Sequence, residues 1–110
     1  MKNNSIDSIY DLVKEVSHLE DPDIVKKGLK LAEEVGELSA EILKLTGYKY
    51  TNPSDVPGEE VRNNLLEEAV DSLIMVFDIL VNQGYTKEEI IKTSHKKVNK
   101  WLSQIENKQN

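Results

Sequence analysis

The strongest constraint on this chain is an unbroken helical periodicity in two long segments, each closed by a glycine. From Asp21 to Thr46, Leu31, Val35, Leu38, Ile42 and Leu45 recur along one helical stripe, and Gly47 stands where a C′ residue belongs. The same logic reads a helix from Glu59 to Gln83, stopped by Gly84. Two shorter segments share the pattern. One covers Ser5 to Leu19, with Ile6, Ile9, Val13 and Val16 in register. The other opens on the capping-box residues Thr86 and Glu89 and runs to Glu106, with Ile91, Val98, Leu102 and Ile105 on its apolar face. Asp21-Pro22 opens the second segment as N-cap and first helical residue. No strand pattern competes, and YKYTNPSDVPG (48–58) reads as the loop between the long helices. The expected fold is all-α, a single domain over residues 1–110, of four-helix-bundle type. The long helices, at about 25 residues and 37 Å each, exceed what a monomer this small covers, so the bundle is expected to be completed by oligomerisation.

Composition removes several function classes. The net charge is −6, which opposes general binding to a phosphate backbone, so no nucleic-acid partner is expected. The longest apolar run, Ser72–Val81, spans ten residues with Asp78 inside it, too few for a bilayer, so no membrane partner is expected either. MKNNSIDSIYD shows no apolar core of a secretory leader, and there are no cysteines, which fits a cytoplasmic protein. The charge is uneven, because the last twenty-five residues hold six lysines against three glutamates. A basic final helix follows an acidic body.

Inside the long segments two stretches echo one another: LAEEVGEL (Leu31–Leu38) and LEEAVDSL (Leu66–Leu73). Each places two adjacent glutamates and then a third acid three residues on, which puts the last two acids on one helix face on successive turns. Two hydrated helix flanks would produce this pattern, and so would one metal site drawn from two helices. On a helical wheel Glu34 lies about 60° from the apolar stripe, Glu41 about 80°, Glu37 about 120° and Glu33 about 160°. Glu33 is therefore expected in solvent and Glu34 at the edge of the core.

The third helix tips the balance. LIMVFDILV (Leu73–Val81) is apolar at nearly every angle, which predicts a helix buried all round. Glu68 and Asp71 share a side with Met75 and Ile79, a side that faces protein. Carboxylates held there repel one another and lose hydration unless a cation joins them. Glu34 and Glu37 facing Glu68 and Asp71 would form a four-carboxylate cage suited to Mg²⁺, with Mn²⁺ a possible substitute, and poorly suited to zinc. A di-iron bundle requires two Glu-x-x-His pairs, and the sequence offers one at most, Glu15–His18, since His95 stands three residues after Lys92.

EEVGE (Glu33–Glu37) followed by EEAVD (Glu67–Asp71) resembles the EExxE…ExxD signature of the MazG-like, all-α nucleoside triphosphate pyrophosphohydrolases. The resemblance covers about Lys26 to Leu102. It implies a helical bundle completed as a homodimer or homotetramer. The activity implied is Mg²⁺-dependent hydrolysis of a nucleoside triphosphate, NTP or dNTP, to the monophosphate and pyrophosphate, for house-cleaning or control of nucleotide pools. Carried over by position, it assigns metal ligation to Glu34, Glu37, Glu68 and Asp71. A carboxylate not fully engaged by metal, Glu37 or Glu34, is then the catalytic candidate for orienting water. HKKVNKW (His95–Trp101) is similar to the family's basic, Asn-containing last helix. It suggests Lys97 and Asn99, with Lys96 or Lys100 as alternatives, as contacts to phosphate or sugar. Base selection would need aromatic stacking, for which Trp101, Tyr48 and Tyr50 are the candidates. Trp101 also fits a core position beside Val98 and Leu102. Asp78 is expected as a further ligand, a supporting group or an interface contact. The connection between the two motifs is longer than in compact members of the family. Two other readings remain: an enzyme of the phosphoribosyl-ATP pyrophosphohydrolase kind, and a non-catalytic helical interaction protein.

Overall fold

A computed structural model describes residues 5–46 and 58–109. The suggested C′ residue Gly47, the tyrosines Tyr48 and Tyr50, and all of the loop except Gly58 lie outside the described residues. Among those described there are four helices and no strand: α1 (Ile6–Ser17), α2 (Ile24–Leu45), α3 (Gly58–Asn82) and α4 (Lys87–Gln109). The chain is all-α. Among the described residues no helix is long and apolar enough to cross a membrane.

The helix ends follow local chemistry. Ser5 caps α1, its hydroxyl accepting from the Ser8 amide. The sequence reading of Asp21 as the cap of α2 is corrected by two residues. Asp23 holds extended backbone, and its carboxylate accepts from the amides of Val25 at 2.9 Å and Lys26 at 3.4 Å. Asp21 instead accepts from the Asp23 amide at 3.0 Å, closing an Asx turn that carries Pro22 outside the helix. α3 ends in a Schellman motif: the Tyr85 amide bonds Leu80 O at 3.1 Å and the Gly84 amide bonds Val81 O at 2.9 Å. Gly84 sits at φ +83°, where a side chain would be strained. The capping box opens α4, with Thr86 N donating to Glu89 at 3.3 Å and Glu89 N to the Thr86 hydroxyl at 3.1 Å.

α1 and α2 each pack on α3. Among the described residues the buried apolar side chains are Val61 and a cluster of Tyr10, Val13 and Phe77, flanked by Val81 and Ile90, with the Tyr10 and Phe77 rings edge to face at 6.1 Å. From Ile91 to Lys108 every α4 residue is exposed. The radius of gyration is 17.5 Å, against about 13 Å for a compact chain of this length. The accessible surface is 8601 Å², against about 6,200 Å² for a globular chain of this mass.

Two expectations about burial change. The apolar stripe of α2 turns only in part toward its neighbours. Leu31 and Leu38 are half-buried, Val35 and Ile42 stay 45% and 46% exposed, and the buried residues are Lys27, Glu34 and Glu41. They recur every seven residues, which keeps one helix face against α3. α3 therefore meets α2 on its charged edge, and part of the apolar stripe turns outward. Nor is α3 covered all round. Phe77 is buried, but Leu73, Ile74 and Val76 remain 38–40% exposed, because among the described residues α3 is packed mainly by α1 and α2.

Candidate metal centre

α2 and α3 run antiparallel, and their register fixes which acids meet. At one level Lys27 Nζ bonds Asp78 Oδ2 at 2.7 Å, and Asp78 Oδ1 accepts from the Ser17 hydroxyl at 2.6 Å. Three turns along, Glu37 on α2 meets Glu68 on α3, their carboxylate oxygens within 4.8 Å of one another. In both pairs the residue numbers add to the same total, which is what an antiparallel pair of regular helices requires.

Glu34, Glu37 and Glu68 converge, each offering a carboxylate oxygen within 4.8 Å of the other two. Glu34 is 7% exposed. One of its oxygens lies 3.2 Å from Lys30 Nζ, while the other is buried without a hydrogen-bond partner. Glu68 Oε2 is likewise buried and unpartnered. Such orphaned oxygens are uncommon, because each forfeits hydration without return. Glu37 is exposed and forms the open side of the group.

The electrostatics carry the strain of the arrangement. The Glu68 carboxyl is pushed up to about 7, first by the hydrogen bond with Glu37, then by burial, then by the charges of Glu37, Asp71 and Glu34. Ionised carboxylates only accept hydrogen bonds, so the Glu37–Glu68 contact needs a proton or a cation between them. Lys30, held above the ordinary lysine range by hydrogen bonds to Glu33 and Glu34, is the one cation ion-paired to the trio among the described residues.

Asp71, the fourth expected ligand, is exposed and stands outside the trio, though its charge acts on Glu68 one turn away. Glu33 faces solvent and pairs with Lys30 at 3.1 Å. Asp78 is committed to Lys27 and Ser17 rather than to the acids. The α4 residues Lys96, Lys97, Asn99, Lys100 and Trp101 are all exposed, Trp101 at 63%, and none belongs to the trio. The core position considered for Trp101 is thus not its place in this chain.

Sequence reasoning missed Lys27 and Lys30, and placed Glu41 on the wheel without assigning it to the buried face. Glu41 is buried, with one oxygen 3.0 Å from Lys44 and the other unpartnered. The seven-residue spacing of Lys27, Glu34 and Glu41 was the available signal, outweighed by the more apolar stripe beside it.

The donor set is three carboxylates from two helices, with no nitrogen or sulfur. It fits a hard divalent cation with oxygen preference, and two orphaned oxygens are already desolvated for one. Compared with known protein families, with curated proteins and with solved structures, the chain gives no match.

Proposed function

We propose that this chain is a Mg²⁺-dependent nucleoside triphosphate pyrophosphohydrolase of the MazG-like type, working as a self-associated helical assembly. The observation that carries the reading is the convergence of Glu34, Glu37 and Glu68 with buried oxygens lacking partners. A hydrated flank does not bury a carboxylate to 7% exposure and leave one oxygen unbonded. The resemblance of EEVGE and EEAVD to the family signature supplies the reaction class.

In this reading Glu34, Glu37 and Glu68 hold the ion, Asp71 joins from the next turn, and Mn²⁺ can substitute. The bound ion would neutralise charge on the departing pyrophosphate and acidify a water. Glu34 serves as a ligand of fixed orientation, since Lys30 tethers its other oxygen. Glu37, exposed and beside Glu68, has the freedom to orient the attacking water and accept its proton. Lys97 and Asn99, or Lys96 and Lys100, bring donors to the phosphates, and Trp101 offers a face for the base.

The test is a panel of NTPs and dNTPs with and without Mg²⁺, reading pyrophosphate against orthophosphate. Pyrophosphate and the monophosphate, formed only with metal, support the reading, and silence across the panel refutes it. A phosphoribosyl-ATP substrate added to the panel separates that enzyme class. The apolar surface left open on α2, α3 and α4 favours one other reading, a non-catalytic interaction protein. That reading requires divalent ions to change nothing and Glu68→Gln to be silent.

A further inference from the structure

A groove opens directly beside the three acids. It lies between α1 and α2 over α3 and holds about 610 Å³, within the range of about 300–1,000 Å³ usual for small-molecule sites. Lys30 lines it from α2 and Met75 from α3. Lys30 stands one helical turn before Glu34, and Met75 one turn after Asp71. The register that pairs Lys27 with Asp78 also sets Lys30 opposite Met75. Both helices therefore pass from the acids into the groove at one level. We propose that Lys30 is a phosphate-binding residue at this junction, and that the nucleoside of a bound triphosphate runs from Lys30 into the α1–α2 groove. The placement rests on the catalytic reading and adds to it the path of the substrate.

Of the lysines that line the groove, Lys30 is the one free to change partner. Lys27 is 6% exposed and bonds Asp78 at 2.7 Å, so drawing it away would strand a carboxylate that is itself mostly buried. Lys26 pairs with Asp21 at 2.9 Å and lies two turns from Glu34. Lys30 is half exposed and divides its ammonium between Glu34 at 3.2 Å and Glu33 at 3.1 Å. The Glu33 pair joins two exposed side chains and contributes little. An ammonium has a third donor as well. A phosphate oxygen thus gains a charge-assisted bond from Lys30 without loosening its hold on Glu34. The position suits this role. With the unpartnered oxygen of Glu34 given to an ion, Lys30 on the other oxygen stands beside that ion, where the phosphates arrive. Glu33 then competes with the substrate for Lys30.

Beyond Lys30 the groove has the character of a nucleoside site. Ile9, Leu12, Val13 and Val16 of α1 give it an apolar wall, and a few polar groups stand among the apolar ones, as such pockets require. One of these is the Lys27 ammonium, whose single side-chain hydrogen bond among the described residues goes to Asp78. Its remaining donors suit a carbonyl or ring nitrogen of a base. Charge is graded along the path. Lys26 and Lys27 are each matched by an aspartate, so a neutral base meets no bare charge, while the anionic phosphates meet Lys30 beside the acids.

The test is calorimetric and needs no turnover. Each protein is titrated in Mg²⁺ with non-cleavable α,β-imido nucleoside triphosphates and with inorganic tripolyphosphate, which carries no nucleoside. Lys30→Gln is expected to weaken both kinds of ligand about tenfold or more while the Mg²⁺-induced melting shift persists, and Lys30→Arg to restore most of the affinity. Glu33→Gln is expected to tighten both about threefold, and to do nothing once Lys30 is glutamine. Leu12→Trp, at a wall position 53% exposed, is expected to weaken the nucleotides about tenfold and leave tripolyphosphate unchanged. Tripolyphosphate affinity untouched by Lys30→Gln, a Glu33→Gln gain that survives the loss of Lys30, or a Mg²⁺ shift lost with Lys30 would each overturn the role of Lys30. Unchanged nucleotide affinity in Leu12→Trp would overturn the path through the groove. All of these leave the enzyme reading standing, whereas a wild type that binds no nucleotide in Mg²⁺ overturns both.

Discussion

Replacing Glu34 by glutamine separates a metal cage from a decorated helix flank by the sign of its effect. Glu34 is 7% exposed, tied to Lys30 by one oxygen at 3.2 Å and unpartnered at the other. Glutamine keeps the shape and an acceptor for Lys30. It removes a charge from a group where Glu37, Glu68 and Asp71 already repel, and supplies an N–H donor where an acceptor had no bond. Relieving a buried unsatisfied group recovers about 1–3 kcal/mol, which at about 4 °C per kcal/mol raises the melting temperature of metal-free protein by about 4–12 °C. With Mg²⁺ the order inverts. An ion at a hundred times its dissociation constant stabilises the wild type by about 2.7 kcal/mol, and the variant, lacking a ligand, gains little. The assay is thermal unfolding by circular dichroism, each protein with EDTA and with saturating Mg²⁺. If the carboxylates were ordinary surface groups, Glu34→Gln would lose a weak pair worth about 0.2–1 kcal/mol and Mg²⁺ would shift neither protein. That result would refute the reasoning.

Four further outcomes are expected. Glu68→Gln abolishes pyrophosphate release while the sedimenting mass stays that of wild type, as read by coupled phosphate assay and ultracentrifugation. Because the Glu68 pKa is raised from 4.5 to about 7, the folded state holds that proton more tightly than the unfolded chain. Its contribution to metal-free stability is complete below pH 4.5, is lost as pH rises through about 7, and the Mg²⁺-induced shift in melting temperature grows over the same range. A metal shift that is flat from pH 5 to pH 8 would contradict this. Lys27→Ala strands the buried Asp78 carboxylate and costs about 3–5 kcal/mol in denaturant unfolding, whereas Lys27→Met with Asp78→Leu comes within about 1 kcal/mol of wild type or above it. Lys97→Ala or Asn99→Ala raises KM for the triphosphate about tenfold with the Mg²⁺ shift unchanged, and an unchanged KM would remove α4 from the substrate site.

Helix number and the Thr86–Glu89 cap were legible because they depend on residues within a few positions of one another. So was the pairing of Glu34 and Glu37 on one face, since three-residue spacing sets it in any helix. The cap at Asp23 was not, because Asp21 and Asp23 are equally good caps and only the Asx turn through Pro22 chooses between them. The core face of α2 was misjudged for a different reason. A helical wheel ranks faces by hydropathy, whereas the chain ranks them by which neighbour arrives. Lys27 meeting Asp78 allows α3 to pack on the charged edge, leaving Val35 and Ile42 outward.

By itself the sequence determined the local order: four helices, where three of them stop or start, and acids spaced to project together. Tertiary structure alone decided the register of α2 against α3. That register depends on contacts between residues some thirty to fifty positions apart, and it brings Glu68 against Glu37 while leaving Asp71 outside the trio. The helical wheel already set Glu33 in solvent and Glu34 at the edge of the core; tertiary structure decided how far Glu34 is buried, to 7% exposure with one oxygen unpartnered. The depth of burial is set by what packs over the carboxylate, which a wheel does not contain.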